Sequence, residues 1–545
     1  MKKFFTLAFV LLVLACAPEK IPADLLVKNA TIYTVNENFD VEDAFVVRDG
    51  KILEIGLKPE LELKYKITET YDAKGKTIVP GLIDAHAHLY GLGLNLQDVD
   101  LTETTSYDEV LARVIAFQKE KKKEYIIGRG WDQNDWEVKE FPTKKELDSL
   151  FPNTPVALTR IDGHAMIVNS KALQMAGITP QTKIEGGVIG IDNGKLTGIL
   201  VDSPMSIIEE SFPKQNRSYN KQALLDAERI SLQYGLTTVN DAGLDREIIE
   251  LIDSLQKQDS MALRVYAMVS NKPKNLDFYL SNGKIKTNRL NVRSVKVYAD
   301  GALGSRGAAL RDSYSDMPGH FGAMITPADS LQKLANRIYE AGYQMNTHAI
   351  GDSANIAVLR AYESALKDKT DARWKIEHAQ IISKQDFSKF SKNIIPSVQP
   401  THATSDMYWA EDRIGSKRIQ GAYAYKTLLE NTGIIVLGTD FPVEQVNPMY
   451  TFYAAVARKD LKQFPEGGFQ KKDALTREEA LKGMTIWAAY SNFEEAEKGS
   501  LEEGKLADFT VLDRDIMTVA EDSIPNTKVL ATFINGKKEF SLEEE

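Results

Sequence analysis

The sequence predicts an α/β chain: a (β/α)8 TIM barrel carrying a composite β-sandwich domain made from both chain ends and a subdomain inserted after the first barrel strand. Three observations predict it. Eight apolar, β-branched runs follow one another, with helical stretches between them from the second onward. Short strand-like runs recur at both ends of the chain, and four of the seven histidines fall at or just beyond the ends of apolar runs.

The chain opens with a segment that reads as an export signal, residues 1–16. Lys2 and Lys3 precede an apolar run, Phe4 to Ala15, that is too short to span a bilayer. The single cysteine, Cys16, closes Val13-Leu14-Ala15-Cys16, which resembles a bacterial lipobox. The expectation is an exported lipoprotein of the cell envelope, held to a membrane through lipidated Cys16; a buried core cysteine is the alternative. With Cys16 spent as an anchor, no thiol remains for disulfides or thiolate metal sites. Any metal is then held by nitrogen and oxygen.

Residues 24–77 alternate apolar and polar side chains in short runs, and Asp49-Gly50 is a hairpin signal. The same texture returns within 498–545, at Ala507 to Leu512 and Val529 to Gly536, so the two ends are expected to pair in one sheet domain. Residues 78–497 hold the barrel. Its eight runs are Thr77 to His86, Thr237 to Asp241, Arg264 to Val269, Val295 to Ala299, Gln344 to Ala349, Trp374 to Ala379, Ile394 to Gln399 and Ile434 to Asp440. The gap after the first is far longer than a βα unit needs. It contains strand-like pieces at Tyr125 to Gly128, Val156 to Arg160 and Val188 to Leu200, so residues 100–225 read as a subdomain over the barrel mouth.

A net charge of -10 and a pI near 5.5 leave no basic footprint for nucleic acid. The expected partner is a small-molecule substrate; assembly into a homo-oligomer is left open.

In Gly81-Leu82-Ile83-Asp84-Ala85-His86-Ala87-His88 the i, i+2 spacing on a strand turns both imidazoles to one side, where two nitrogens can bind one ion. Alone, the pair fits two surface histidines as well. His348 closes the fifth run and His378 the sixth; either alone is compatible with a structural histidine. Asp440 ends the eighth run, where a carboxylate is costly unless it is paired, bound to metal or capping a helix. Lys296 interrupts the apolar alternation of Ser294 to Asp300 and so points into the barrel. Desolvation there favours the neutral amine, which can add carbon dioxide to give a two-oxygen carbamate; pairing with a barrel carboxylate is the other reading.

Taken in order, Gly81 to His88, Lys296, His348, His378 and Asp440 resemble the amidohydrolase superfamily. The stretch Lys296 to Arg306 and the run Gly128-Arg129-Gly130-Trp131-Asp132 are similar to its amidohydrolase-3 branch, which includes N-substituted formamide deformylases. The resemblance implies a divalent metal site, zinc being the expected ion, with His86, His88 and Asp440 on one ion and His348 and His378 on a second. Lys296 bridges them if carboxylated. It implies hydrolysis of a non-peptide C–N bond by metal-activated water, with Asp440 moving the proton. A mononuclear, deaminase-like or cyclic-amide hydrolase with unmodified Lys296 is the runner-up, and a non-catalytic solute-binding lipoprotein a third reading. For substrate binding the sequence offers His164 and Trp131 in the insertion, Arg306 after the fourth run and His402 after the seventh.

Overall fold

In the computed structural model, which describes residues 19–133, 136–160, 165–184, 187–213, 216–304, 306–367 and 371–542, eight parallel strands succeed one another round a barrel in chain order. They are β1 (Leu82–Ala87), β2 (Leu236–Leu244), β3 (Arg264–Ser270), β4 (Leu290–Tyr298), β5 (Gln344–Ala349), β6 (Trp374–His378), β7 (Ile394–Val398) and β8 (Val436–Leu437). Each is paired with the next from β1 to β8. The last seam, β8 to β1, is closed by single bonds: Asp440 N–H donates to the His86 carbonyl and His88 N–H to the Phe441 carbonyl, both at 2.8 Å. Asp84 braces the same seam by accepting from the Thr439 hydroxyl at 2.7 Å.

Outward side chains of the strands, such as Val239, Val265, Val295, Met345 and Ile376, are buried beneath the helices, as a parallel sheet covered on its outer face requires. The helix Arg246–Lys257 shows why the helices dock. Ile248, Ile249, Ile252 and Leu255 recur at helical spacing and form its buried stripe. The inward alternates are polar instead: Lys296, Asn346, Lys375 and Glu377 are all buried. Burying so many polar groups is costly unless they serve one another or a ligand.

The first apolar run divides between two sheets. Thr77–Pro80 pairs with Ile21–Tyr33 and Phe509–Leu512 in the terminal sheet, and the barrel begins only at Leu82. The break falls at Gly81, where a Cβ would stand 2.3 Å from the Thr237 side chain. That terminal sheet has eight strands from both chain ends, and Asp49 and Gly50, at φ 54° and 75°, make the hairpin turn between Val41–Arg48 and Lys51–Gly56. Its core stacks Phe509 on Phe533 at 4.2 Å. Arg264 at the start of β3 donates to Asp508 at 2.6 Å, a buried pair that ties this domain to the barrel.

The insertion carries its own six-stranded sheet and apolar cores. Val188 to Leu200, read as one strand-like piece, is a hairpin of Gly187–Asp192 and Lys195–Asp202 turning at Asn193-Gly194, whose φ of 46° and 74° suit that dipeptide. Among the described residues no helix is long and apolar enough to cross a membrane. Cys16 lies outside the described residues.

Candidate metal centre

The centre is assembled at the C-terminal ends of the barrel strands, the end at which this architecture places its chemistry. β1 carries His86 and is followed at once by His88; β4 supplies Lys296, β5 His348 and β6 His378; Asp440 follows β8. His378 and Asp440 hold left-handed backbone conformations, φ 73° and 63°, sparsely populated for such residues and a local strain that the surrounding fold must hold.

Asp440 is the hub. Its Oδ1 lies 3.2 Å from His88 Nε2 and 3.5 Å from His86 Nε2, and its Oδ2 lies 3.7 Å from His402 Nε2. The rings of His86 and His378 are 4.8 Å apart between centroids and those of His348 and His378 4.6 Å. Lys296 Nζ sits 3.1 Å from His86 Nε2.

Two further side chains orient these imidazoles. His86 Nδ1 is 2.5 Å from Glu377 Oε2, and His378 Nδ1 is 2.7 Å from Gln399 Oε1. Each acceptor holds the proton on Nδ1 and so directs the Nε2 lone pair into the site, the arrangement that partners of metal-ligating histidines provide.

The electrostatics follow from burial. Desolvation holds His86 below its ordinary value, takes His348 down to about 3 and puts His378 well below the usual imidazole range, so all three are neutral donors at neutral pH. Burial likewise lowers the Lys296 ammonium. Burial pushes the Asp440 carboxyl up, but His88, His86, His378 and His402 outweigh it and hold it well below the carboxylate range. For Glu377 burial is again outweighed, by His86, Lys375 and Lys296, and its value falls to about 2.

The donor set fits a divalent cation. His86, His88 and Asp440 present one ligand atom each within 4.8 Å of one another, and His378, His402 and Asp440 do the same. Asp440 Oδ1 is buried without a hydrogen-bond partner although two imidazole nitrogens face it, and His402 Nε2 is also unpartnered. Lone pairs converging on lone pairs are stable round a positive ion, and nitrogen with carboxylate oxygen is a zinc-type set.

A sequence model of the amidohydrolase family matches residues 69–538. The chain belongs to that family. It is 32% identical over 96% of its length to Protein LONG AFTER FAR-RED 3 of Arabidopsis thaliana, covering 92% of that protein. It is also 32% identical to the putative amidohydrolase YtcJ of Bacillus subtilis, covering 93% of this chain and 97% of the relative. An N-substituted formamide deformylase of Arthrobacter pascens is 26% identical over 94% of this chain and 97% of its own. Among solved structures, an uncharacterized metal-dependent hydrolase from Pyrococcus furiosus is 28% identical and superposes with a TM-score of 0.74, covering 91% of this chain and 100% of that one. This amidohydrolase is therefore a hydrolase of the metal-dependent kind, on the barrel the sequence predicts.

The residues proposed from sequence distribute unevenly over this amidohydrolase. His86, His88, Lys296, His348, His378 and Asp440 come together. His402, offered for substrate binding, stands 3.7 Å from Asp440 and within one of the two candidate ligand groups. Trp131 is a correction. It is fully buried in the core of the insertion, with its indole N–H donating to the Leu158 carbonyl at 2.8 Å, so it has no surface to offer a substrate. Trp131 ends the strand Ile126–Trp131, whose register shifts between Arg129 and Trp131 at Gly130, φ 121°, so the indole joins the same core as Ile126. Arg306 is partly exposed, but its guanidinium is engaged by Asp316 at 2.8 Å. His164 lies outside the described residues. The sequence reading missed Glu377 and Gln399. The signal for Glu377 was present: a carboxylate inside an apolar strand, as conspicuous as Lys296 in its own.

Proposed function

We propose that this amidohydrolase hydrolyses a non-peptide C–N bond in a small neutral amide of the N-substituted formamide type, with zinc as its ion. The observation that carries the reading is Asp440, which faces His86 and His88 through one oxygen and His402 through the other, with His348 and His378 alongside. The likeness to the Arthrobacter deformylase over nearly both full chains supports the substrate class.

In this reading His86, His88 and Asp440 would hold one ion and His348 and His378 a second, and Lys296, as a carbamate formed from its neutral amine and carbon dioxide with release of a proton, would be a further ligand. Ions bound there would supply Lewis acidity toward the amide carbonyl and a water. Asp440, a buried carboxylate ionised at neutral pH, accepts the proton of the attacking water and passes it to the departing nitrogen, leaving an amine and formate. Glu377 keeps His86 in one tautomer throughout. The close contact of the Lys296 amine with His86 Nε2 favours a second reading, in which Lys296 stays unmodified and one ion suffices.

The test is a panel led by N-benzylformamide, followed by formate release from zinc-reconstituted protein and from Asp440→Asn. Turnover lost in Asp440→Asn with two ions per chain supports the first reading; one ion per chain with turnover supports the second. We further propose that Cys16 is lipidated and holds the exported protein to a membrane, as the lipobox-like Val13 to Cys16 suggests.

A further inference from the structure

Tyr298 is the last residue of β4 and, two positions beyond Lys296, lies on the same face of that strand. Its ring centroid is 5.1 Å from Lys296 Nζ and 5.7 Å from the His348 ring. Lys296 is buried, whereas Tyr298 is 36% exposed, so the phenol stands between the ligand cluster and the opening.

The backbone opposite makes room for it. β2 departs from regular register between Ala242 and Leu244, and the residue there, Gly243, has φ +112°, a conformation other residues rarely adopt. A Cβ on Gly243 would stand 3.4 Å from the Tyr298 hydroxyl and 3.8 Å from Lys296 Cγ. The hydroxyl therefore lies toward β2, past the intervening β3, and beside Lys296.

Three buried tyrosines around the barrel have their hydroxyls committed: Tyr266 to Gln344, Tyr362 to the Met345 carbonyl and Tyr425 to the Gln399 carbonyl, at 2.7 to 2.9 Å. The Tyr298 hydroxyl has no such partner among the described residues; the side-chain bond at this residue is the one its backbone carbonyl accepts from the Thr326 hydroxyl. The charged donor nearest in sequence, Arg306, is engaged by Asp316. A phenol is protonated at neutral pH and donates without bringing a charge that would oppose a bound cation.

We propose that Tyr298 is a catalytic residue whose hydroxyl donates a hydrogen bond to the substrate carbonyl oxygen as water adds and that oxygen gains negative charge. This rests on the amide-hydrolase reading above. A donor aimed at charge that develops during reaction accelerates the chemical step more than it tightens substrate binding. Losing one such donor costs about 100-fold or more in kcat.

The experiment compares zinc-reconstituted native protein with Tyr298→Phe and Tyr298→Leu. It measures turnover of N-benzylformamide, bound zinc, and calorimetric affinity for N-benzyl methylphosphonamidate, a tetrahedral anionic mimic of water addition. Tyr298→Phe keeps the ring and loses only the hydroxyl. The expected result is kcat lower by about 100-fold with KM within about 3-fold. Zinc content should be unchanged, the mimic bound at least about 10-fold more weakly, and Tyr298→Leu should be no worse than about 3-fold beyond Tyr298→Phe. The proposal is overturned if Tyr298→Phe matches native protein in turnover and mimic affinity, or if only Tyr298→Leu loses activity, which would assign the ring a packing role. Native protein inactive across the whole amide panel would overturn the amide reading and this proposal with it; an active native enzyme matched by Tyr298→Phe would overturn this proposal alone.

Discussion

Replacing Glu377 by glutamine isolates the contact that orients His86 through its Nδ1. The carboxylate and the imidazole are both without solvent exposure and lie 2.5 Å apart, Oε2 to Nδ1. Glu377 is ionised at neutral pH, so the contact is charge-assisted and about twice as strong as its neutral counterpart. Glutamine keeps the size and one acceptor oxygen but loses the charge, and its amide can turn an N–H toward Nδ1 and favour the other tautomer. Partners of this kind are worth about 10- to 100-fold in metal affinity, or about 1.4 to 2.7 kcal/mol. The assay is zinc affinity by competition with a chromophoric chelator, with circular dichroism confirming the fold. Glu377→Gln is expected to bind zinc about 10- to 100-fold more weakly with the fold intact. A zinc Kd within about twofold of native would refute the reasoning, because His86 would then be held in place without the carboxylate.

Two further predictions concern stability and location. Glu494 lies buried between Lys286 at 2.7 Å and Lys498 at 2.8 Å, and although burial alone would raise it, these cations bring its carboxyl from 4.5 down to about 2. A depressed folded value contributes stability above the unfolded value that is lost as pH falls from 4.5 through 2, here about 3 kcal/mol in all, so Glu494→Gln should flatten the fall in denaturant stability between pH 5 and pH 3. An unchanged slope in that variant would place the acid sensitivity elsewhere. Cys16→Ser is expected to move the protein from the detergent phase to the aqueous phase on Triton X-114 partitioning, or to leave it unprocessed; native protein found wholly in the aqueous phase contradicts the anchor.

The fold was legible where the chain's own periodicity decides it, and less so where packing does. The eight apolar runs are visible because a barrel strand covered by helices must be apolar on its outer face, and Val265, Val295 and Ile376 are so in plain sight. The division at Gly81 was not legible: Thr77 to Ala87 is one apolar stretch, and only the approach of Thr237 shows why the chain leaves one sheet there and enters another. The turn inside Val188 to Leu200 was legible in principle, since Asn193-Gly194 is a hairpin dipeptide. At the site, strand ends located the imidazoles, Lys296 and Asp440, because their residue types break the apolar pattern. Trp131 misled, since an aromatic beside glycines looks the same whether its ring lines a pocket or fills a core. Glu377 and Gln399 escaped because their role exists only through a histidine brought to them by the fold, across 291 residues for Glu377 and 21 for Gln399.

The central claim is that the cluster around Asp440 is a working metal centre. It is tested most directly by following zinc content and N-benzylformamide hydrolysis on one sample of native protein through chelation and stepwise return of zinc. The account predicts that formate release disappears with the metal and returns in proportion to bound zinc, reaching its plateau at two ions per chain. Hydrolysis that survives complete removal of metal, or protein that takes up no zinc, would contradict it.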